Sequence, residues 1–448
     1  MSRAGRRLLA GIVVLAVIAA GVVWWVRGPG PMDFAGGSTV ALADYKGANP
    51  TGVPASLAKA SAVERGEYLA KAADCMVCHT AKGGQAYAGG FAFTLPFGTL
   101  YSTNITPDKE TGIGNYSDAE FLAALHRGVR RDGARLYPAM PFTSYTYLTD
   151  ADALAIKAYL FSLPPVHATP PANTLAFPFD QRWLMSFWSA VFNPDTRFEP
   201  RPDKSPEWNR GAYLAEALAH CGECHTPRNL GFALDNRDKF AGALTAGWRA
   251  FNISSDKTTG VGGWTDDALV SYLSTGHAAG HGTASGPMGE AVDHSFSRMP
   301  PEDIRAMVAY LRSVPAVPSS DLPATPAPAA PASHKQGGNP LLTQGKKIFE
   351  GTCASCHGWT GESPITPMAT LTGAWAVNDP SAINVAQIVI SGTMREMPPG
   401  ALSMPAFGAI YSDAEIAAVA NYVTSRFGAK GSGLTEHDVA ELRRQTAQ

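Results

Sequence analysis

Cys75-Met-Val-Cys78-His79, Cys221-Gly-Glu-Cys224-His225 and Cys353-Ala-Ser-Cys356-His357 are one pattern written three times, and together they use all six cysteines of the 448-residue chain. Two cysteines three positions apart, followed at once by histidine, match the needs of a c-type haem. Both thiols must reach the vinyl groups along one edge of a planar macrocycle, while the neighbouring imidazole meets the iron from its face. Other readings of the cysteines fit less well. Three disulfides suit an exported chain but leave the histidine after each pair unexplained. Zinc takes four ligands, and three cysteine pairs do not divide into all-thiolate tetrahedral sites. A redox Cys-x-x-Cys wants a strand–helix setting and is not expected in triplicate. The pattern therefore predicts three covalently bound haem c groups on Cys75/Cys78, Cys221/Cys224 and Cys353/Cys356. His79, His225 and His357 are the expected iron ligands.

The surrounding residues repeat in the same order. Each motif is preceded by a helix-like stretch with a glycine and an aromatic: Arg65-Gly66-Glu-Tyr68, Arg210-Gly211-Ala-Tyr213 and Gln344-Gly345-Lys-Lys-Ile-Phe349. Each unit closes with an amphipathic helix that opens on acidic residues: Thr149-Asp150-Ala-Asp152, Pro300-Pro301-Glu302-Asp303 and Ser412-Asp413-Ala-Glu415. These closing helices carry Tyr159, Tyr310 and Tyr422. Two helices flanking a haem loop make a small all-α domain, in which the macrocycle supplies much of the core that ~90–110 residues would otherwise lack.

A second axial ligand is expected on each iron, and methionine is the usual soft partner of histidine. Units one and two share Asn104-Ile105-Thr-Pro-Asp108-Lys109-Glu-Thr111-Gly112 and Asn252-Ile253-Ser-Ser-Asp256-Lys257-Thr-Thr259-Gly260, offset by 148 residues, which carries Met140 onto Met288. A glycine also lies 12 residues before each candidate: Gly128 before Met140, Gly276 before Met288, Gly392 before Met404. Met299-Pro300 competes, since it resembles Met140-Pro141 and Met404-Pro405. Aligning Tyr310 on Tyr159 places Met299 opposite Leu148, however, as a core residue beside the closing helix. The spacing thus favours Met140, Met288 and Met404, with Met299 the alternative in unit two; Met394 and Met397 follow Gly392 too closely. His126, His277, His281 and His294 read as ordinary solvated or hydrogen-bonded histidines, and His220, directly before Cys221, as no ligand without rearrangement. Arg127, Arg130 and Arg228 are either propionate partners or solvated charges.

Hydrophobic residues make up 45% of the chain, and 36 basic against 38 acidic residues leave a net charge of −2, without the basic excess of a nucleic-acid binder. Residues 8–26 carry no charge, follow Arg3, Arg6 and Arg7, and end on Trp24-Trp25. As a helix this run covers roughly 28 Å, close to a bilayer's hydrocarbon thickness. The arginines place the N-terminus in the cytoplasm and everything beyond residue 27 on the far side. A cleaved signal peptide is the other reading; its apolar core is normally shorter, and no convincing Ala-x-Ala site precedes the tryptophans.

The expected organisation is all-α. Residues 1–28 form a membrane anchor or signal peptide, and 55–165, 205–316 and 339–428 form three tandem haem domains. Residues 166–204 are an aromatic-rich linker, 317–338 a Pro/Ala linker and 429–448 a tail helix capped by Thr435 and Asp438 that docks on the last domain. The Pro/Ala run is expected to act as a semi-rigid spacer that lets unit three move. The first linker, with Phe177, Phe179, Trp183, Phe187 and Trp188, reads as a packed hinge or as a patch for a membrane surface or partner, near a quinone.

The run at 104–114, Cys-Gly-Glu-Cys-His-Thr-Pro-Arg-Asn at 221–229 and the three-unit order resemble the tri-haem cytochrome c subunit of membrane-bound alcohol, aldehyde and gluconate-type dehydrogenases. The resemblance covers about 55–427. It implies three class I cytochrome c-like domains on the periplasmic side of a bacterial inner membrane. It further implies a separate catalytic subunit carrying PQQ, FAD or a molybdenum cofactor, ubiquinone as acceptor, and no catalytic residue in this chain. An uncleaved N-terminal helix departs from the many relatives with a removable signal. Two rivals stand beside this reading: a cytochrome c subunit of a terminal oxidase, and a haem peroxidase in which one iron, that of unit two, lacks methionine.

Overall fold

The computed structural model describes residues 2–319, 339–397 and 400–446. Most of the Pro/Ala spacer falls outside that range. Helix α1 (Arg3–Arg27) is long and apolar enough to cross a membrane. The rest is helical with short two-stranded hairpins.

Each unit is built on one crossing of two helices. In unit one α2 (Ala62–Ala72) crosses α4 (Asp150–Ser162); between them come the hairpin β1 (Ala92–Leu95)–β2 (Gly98–Tyr101) and helix α3 (Asp118–Arg127). After α5 (Leu184–Phe192), unit two repeats the plan with α6 (Pro206–Tyr213), hairpin β3 (Ala243–Thr245)–β4 (Trp248–Ala250), α7 (Asp266–Thr275), α8 (Gly286–His294) and α9 (Pro301–Ser313). Unit three has α10 (Pro340–Ile348), α11 (Ile383–Ser391), hairpin β5 (Thr393–Met397)–β6 (Gly400–Met404) and α12 (Asp413–Phe427), followed by the tail helix α13 (Glu436–Thr446).

The repeated glycine has a steric cause. A Cβ on Gly66, Gly211 or Gly345 would run into the carbonyl oxygen of Ala155, Ala306 or Ala418 on the crossing helix. Backbones that close admit no side chain. One irregularity of the repeat also resolves: Gly211 to Cys221 is one residue longer than Gly66 to Cys75. The wide π turn at Leu214–Leu218 takes up the extra residue.

Units one and two share a single hydrophobic core, in which Tyr68, Leu69 and Leu148 pack with Tyr213, Leu214 and Tyr310. Their interface exchanges equivalent bonds. Tyr68 donates its hydroxyl proton to Asp303, and Tyr213 donates to Asp152 at 2.5 Å. Arg210 grips Asp303 through Nε and Nη2 at 2.8 and 2.7 Å. The sequence suggests helix-capping acids at the starts of α4 and α9; Asp152 and Asp303 are instead buried and serve the neighbouring unit. The segment following α1 straps across this pair: Arg201 donates to the carbonyls of Met32 and Gly36, and Arg210 to those of Pro50 and Gly52.

Unit three has its own core, completed by Leu434, Val439 and Leu442 of the docked tail. The tail cap is present, with Asp438 accepting from Thr435 N at 2.9 Å. The expected looseness of unit three is corrected by its contacts. Arg395 of β5 is 1% exposed and inserts into unit two, pairing with Asp293 at 2.7 Å and donating to Ala284 O at 3.0 Å. Asn384 exchanges two hydrogen bonds with the backbone of Arg249, and Trp375 N donates to His281 O at 3.0 Å. Whatever the spacer does, unit three is seated.

The glycine crossings predict that Gly211→Val costs about 3 kcal/mol or more by overpacking against an immovable carbonyl. Lowered thermal stability and reduced haem per chain by haemochrome assay are the expected results. Ala58→Val, on the surface, should change neither.

Candidate haem-attachment sites

All six cysteines are free of disulfides. Burial pushes the thiols of Cys75 and Cys221 up to about 12 and those of Cys224 and Cys353 up to about 11. Among the described residues no group of three or more His, Cys, Asp or Glu is arranged to hold a metal ion. The donor set is two thiols and one imidazole per unit, which fits a covalently held macrocycle.

The three histidines share one geometry. His79 Nδ1 lies 2.7 Å from Thr103 O, His225 Nδ1 2.6 Å from Phe251 O, and His357 Nδ1 2.6 Å from Ala369 O. A carbonyl only accepts, so each Nδ1 carries the proton and each Nε2 keeps its lone pair for a ligand. Burial lowers the pKa of all three rings, which favours the neutral form that coordination needs.

The repeated Asn motif holds two of those carbonyls. Thr103 and Phe251 immediately precede Asn104 and Asn252, both buried. Asn104 Oδ1 accepts from Thr106 N at 2.9 Å while its amide donates to Val166 O at 2.7 Å. Asn252 does likewise, with Ser254 N at 2.8 Å and Val317 O at 2.6 Å. Asp108 and Asp256 close the same loop by accepting from Thr111 N at 2.7 Å and Thr259 N at 2.6 Å. In the sequence this motif aligns units one and two and carries part of the family resemblance; its work in the fold is to fix the carbonyl that orients histidine.

Gly128, Gly276 and Gly392, with φ of 59, 72 and 68°, terminate α3, α7 and α11 ahead of the three methionines. Met140 then lies in a loop before the short helix Phe142–Tyr145, Met288 in the first turn of α8, and Met404 at the end of β6. Each packs, half-buried, against its unit's core. Met299 and Leu148 are both buried directly ahead of their closing helices, whereas Met394 is exposed.

The remaining histidines have their own settings. His281 stacks on Trp264 at 3.8 Å, and His277 Nδ1 lies 2.9 Å from Thr283 Oγ1. His220 is edge-on to Tyr145, which hydrogen-bonds Ala73 O at 3.0 Å. His126, 2% exposed and 3.6 Å from Asp150, has its pKa lowered to about 4, first by burial and then by Arg197. Arg130 and Arg228 pair with Asp132 and Glu223 at 2.9 and 2.7 Å. Cys78 and Cys224, from different units, are near enough that each thiol's environment includes the other unit's motif.

Comparison with known proteins agrees with this geometry. The cytochrome c family model matches residues 63–164, 209–315 and 342–426, and the chain belongs to that family. It is 40% identical to the fructose dehydrogenase cytochrome subunit of Gluconobacter japonicus over 88% of this chain and 85% of that protein. It is 38% identical to the gluconate 2-dehydrogenase cytochrome c subunit of Pantoea cypripedii over 85% of this chain and 89% of that one. It is also 41% identical to a nicotinate dehydrogenase subunit of Pseudomonas putida over 83% of this chain, which spans only 31% of that longer protein.

Two measurements follow. Met288→Leu should abolish the sulfur-to-iron charge-transfer band of one haem in three, while Met299→Leu should leave all three and cost about 1 kcal/mol of stability. The reverse pattern would move the ligand to Met299. His126 is neutral when folded, so the unfolded chain binds its proton first, between pH 6.5 and about 4. Its contribution is complete above pH 6.5 and falls away as the pH drops towards 4, by roughly 2–3 kcal/mol. His126→Gln should flatten that part of the stability–pH curve.

Proposed function

We propose that this chain is the tri-haem electron-transfer subunit of a membrane-bound dehydrogenase complex, carrying electrons from a catalytic subunit to ubiquinone. The three identically tethered histidines carry this reading, together with relatives that are themselves named as cytochrome subunits of dehydrogenases. When bound, haem c supplies a one-electron iron couple. Cys75, Cys78, Cys221, Cys224, Cys353 and Cys356 would form the thioether bonds; His79, His225 and His357 with Met140, Met288 and Met404 would hold the irons.

The chain's residues make these sites suited to outer-sphere transfer. Each Nδ1–H···O=C bond fixes the ring and raises the basicity of Nε2. Met140, Met288 and Met404 would each supply a thioether to iron, a soft donor that raises the potential. Unit two touches both others, through the shared core on one side and Arg395–Asp293 on the other. It is the link between them. Helix α1 anchors the chain in the bacterial inner membrane, with the three units on the periplasmic face.

The catalytic partner would carry PQQ, FAD or a molybdenum cofactor, and the chain itself performs no bond-making step. Gentle detergent extraction of the tagged protein from its native membrane tests this. Expected are three haems per chain, a co-purifying large subunit with one of those cofactors, and haem reduction on adding an alcohol, aldehyde, sugar or sugar acid, reversed by a ubiquinone analogue. A copper–haem oxidase partner, or peroxide turnover by the chain alone, would overturn it.

A further inference from the structure

Helix α5, in the first linker, turns an uncharged stripe outward. Residues 183–192 contain no charged side chain. Trp183, Phe187 and Ala190 fall at i, i+4 and i+7, on one helical face, and the two aromatics are 61% and 66% exposed. The opposite stripe is the packed hinge. Trp188 meets Phe142 of unit one at 6.0 Å and donates its indole N–H to Gly231 O of unit two at 2.7 Å. The linker is therefore a packed hinge on one side and leaves an uncharged stripe exposed on the other. Beside the outer stripe lie Phe177, 80% exposed, and Phe179, stacked on Phe97 at 3.9 Å.

A second aromatic cluster lies towards the foot of α1. Phe232 sits edge-on to Phe97 and Phe179 at 6.0 and 6.4 Å, and its neighbour Leu230 is 82% exposed. The same loop is fastened to the helix end. Asn229 donates to Val26 O at 2.9 Å, Asn236 to Pro29 O at 3.1 Å, and Arg237 to Trp25 O while lying over the Trp25 ring. The Trp24-Trp25 pair marks where an apolar span meets water. Those bonds hold Leu230 and Phe232 at that level.

We infer that Phe177, Phe179, Trp183, Phe187, Leu230 and Phe232 form a second membrane contact, seated in the interfacial layer of the bilayer that α1 crosses; this rests on the reading of α1 as a span. Large aromatic and aliphatic side chains without charge are what that layer accepts, and so broad an apolar face would be a liability in water. The contact turns a single tether into a fixed orientation, with units one and two held against the lipid surface.

The test uses the full haem-loaded chain in vesicles of phosphatidylethanolamine and phosphatidylglycerol. Haem occupies the native cysteines, so one added cysteine takes a nitroxide label. Phe187→Cys and Leu230→Cys are compared with Val14→Cys within α1 and Ile365→Cys on exposed unit three, with the haems oxidised. Collision with oxygen reports lipid and collision with a water-soluble nickel chelate reports solvent. Labels at 187 and 230 should favour oxygen severalfold more than the label at 365, approaching that at 14. A water-like response at 187 and 230 with a lipid-like one at 14 overturns the second contact alone. A water-like response at 14 overturns the span and this contact with it. Shielding from both reagents only when the catalytic subunit is present, or only at high protein density, would assign the face to that partner or to a second copy and overturn the proposal.

Discussion

A backbone carbonyl pressed against a glycine sets the architecture of this chain. At Gly66–Ala155, Gly211–Ala306 and Gly345–Ala418 the opening and closing helices meet without an intervening side chain. The close approach fixes the crossing, and the crossing fixes where the motif that follows the opening helix emerges. It also places Tyr159, Tyr310 and Tyr422 one turn beyond the contact, where they pack on the opening helix. A bulkier residue at any of the three would separate the helices and lose the cleft between them, so the haem-attachment geometry is downstream of a single missing Cβ.

The second level of order is the orientation of histidine. In units one and two the imidazole is held by a carbonyl, the carbonyl by an asparagine-centred loop, and that asparagine by the chain leaving the unit, at Val166 and Val317. The exit of each unit is therefore part of its ligand support. Unit three reaches the same Nδ1 tether by a shorter route, from Ala369, only 12 residues beyond His357. Convergence of two different loops on one hydrogen bond argues that the bond itself is what the site requires.

Most of this was legible because it is local. Cys-x-x-Cys-His spacing, the glycine before each motif, acidic helix starts and the capped tail are short-range patterns, and each appears where the sequence places it. What escaped reading was long-range. Asp152 and Asp303 look like first-turn acids, and only the apposition of units one and two shows that each accepts a tyrosine proton from the other unit. Arg395 resembles a loop charge beside Met394 and Met397, yet it is buried in unit two. The spacer at 317–338 suggested a loose third unit because linker composition reports the linker's own stiffness. It says nothing of the interface that Asn384, Trp375 and Arg395 make.

These interfaces bear on how such a chain carries electrons. Electron transfer between centres depends steeply on separation, and a subunit of three tethered beads would sample many separations. Here units one and two share one core, unit three is held by an arginine buried to 1% exposure, and the residues after α1 are bound across the first two units. Rigidity has a cost in reach, since a fixed body cannot swing between donor and acceptor. The outward stripe of α5 and the Leu230–Phe232 loop belong to the linker and unit two, while unit three is tied in through Arg395 and Asp293. Orientation, more than motion, is what this fold supplies.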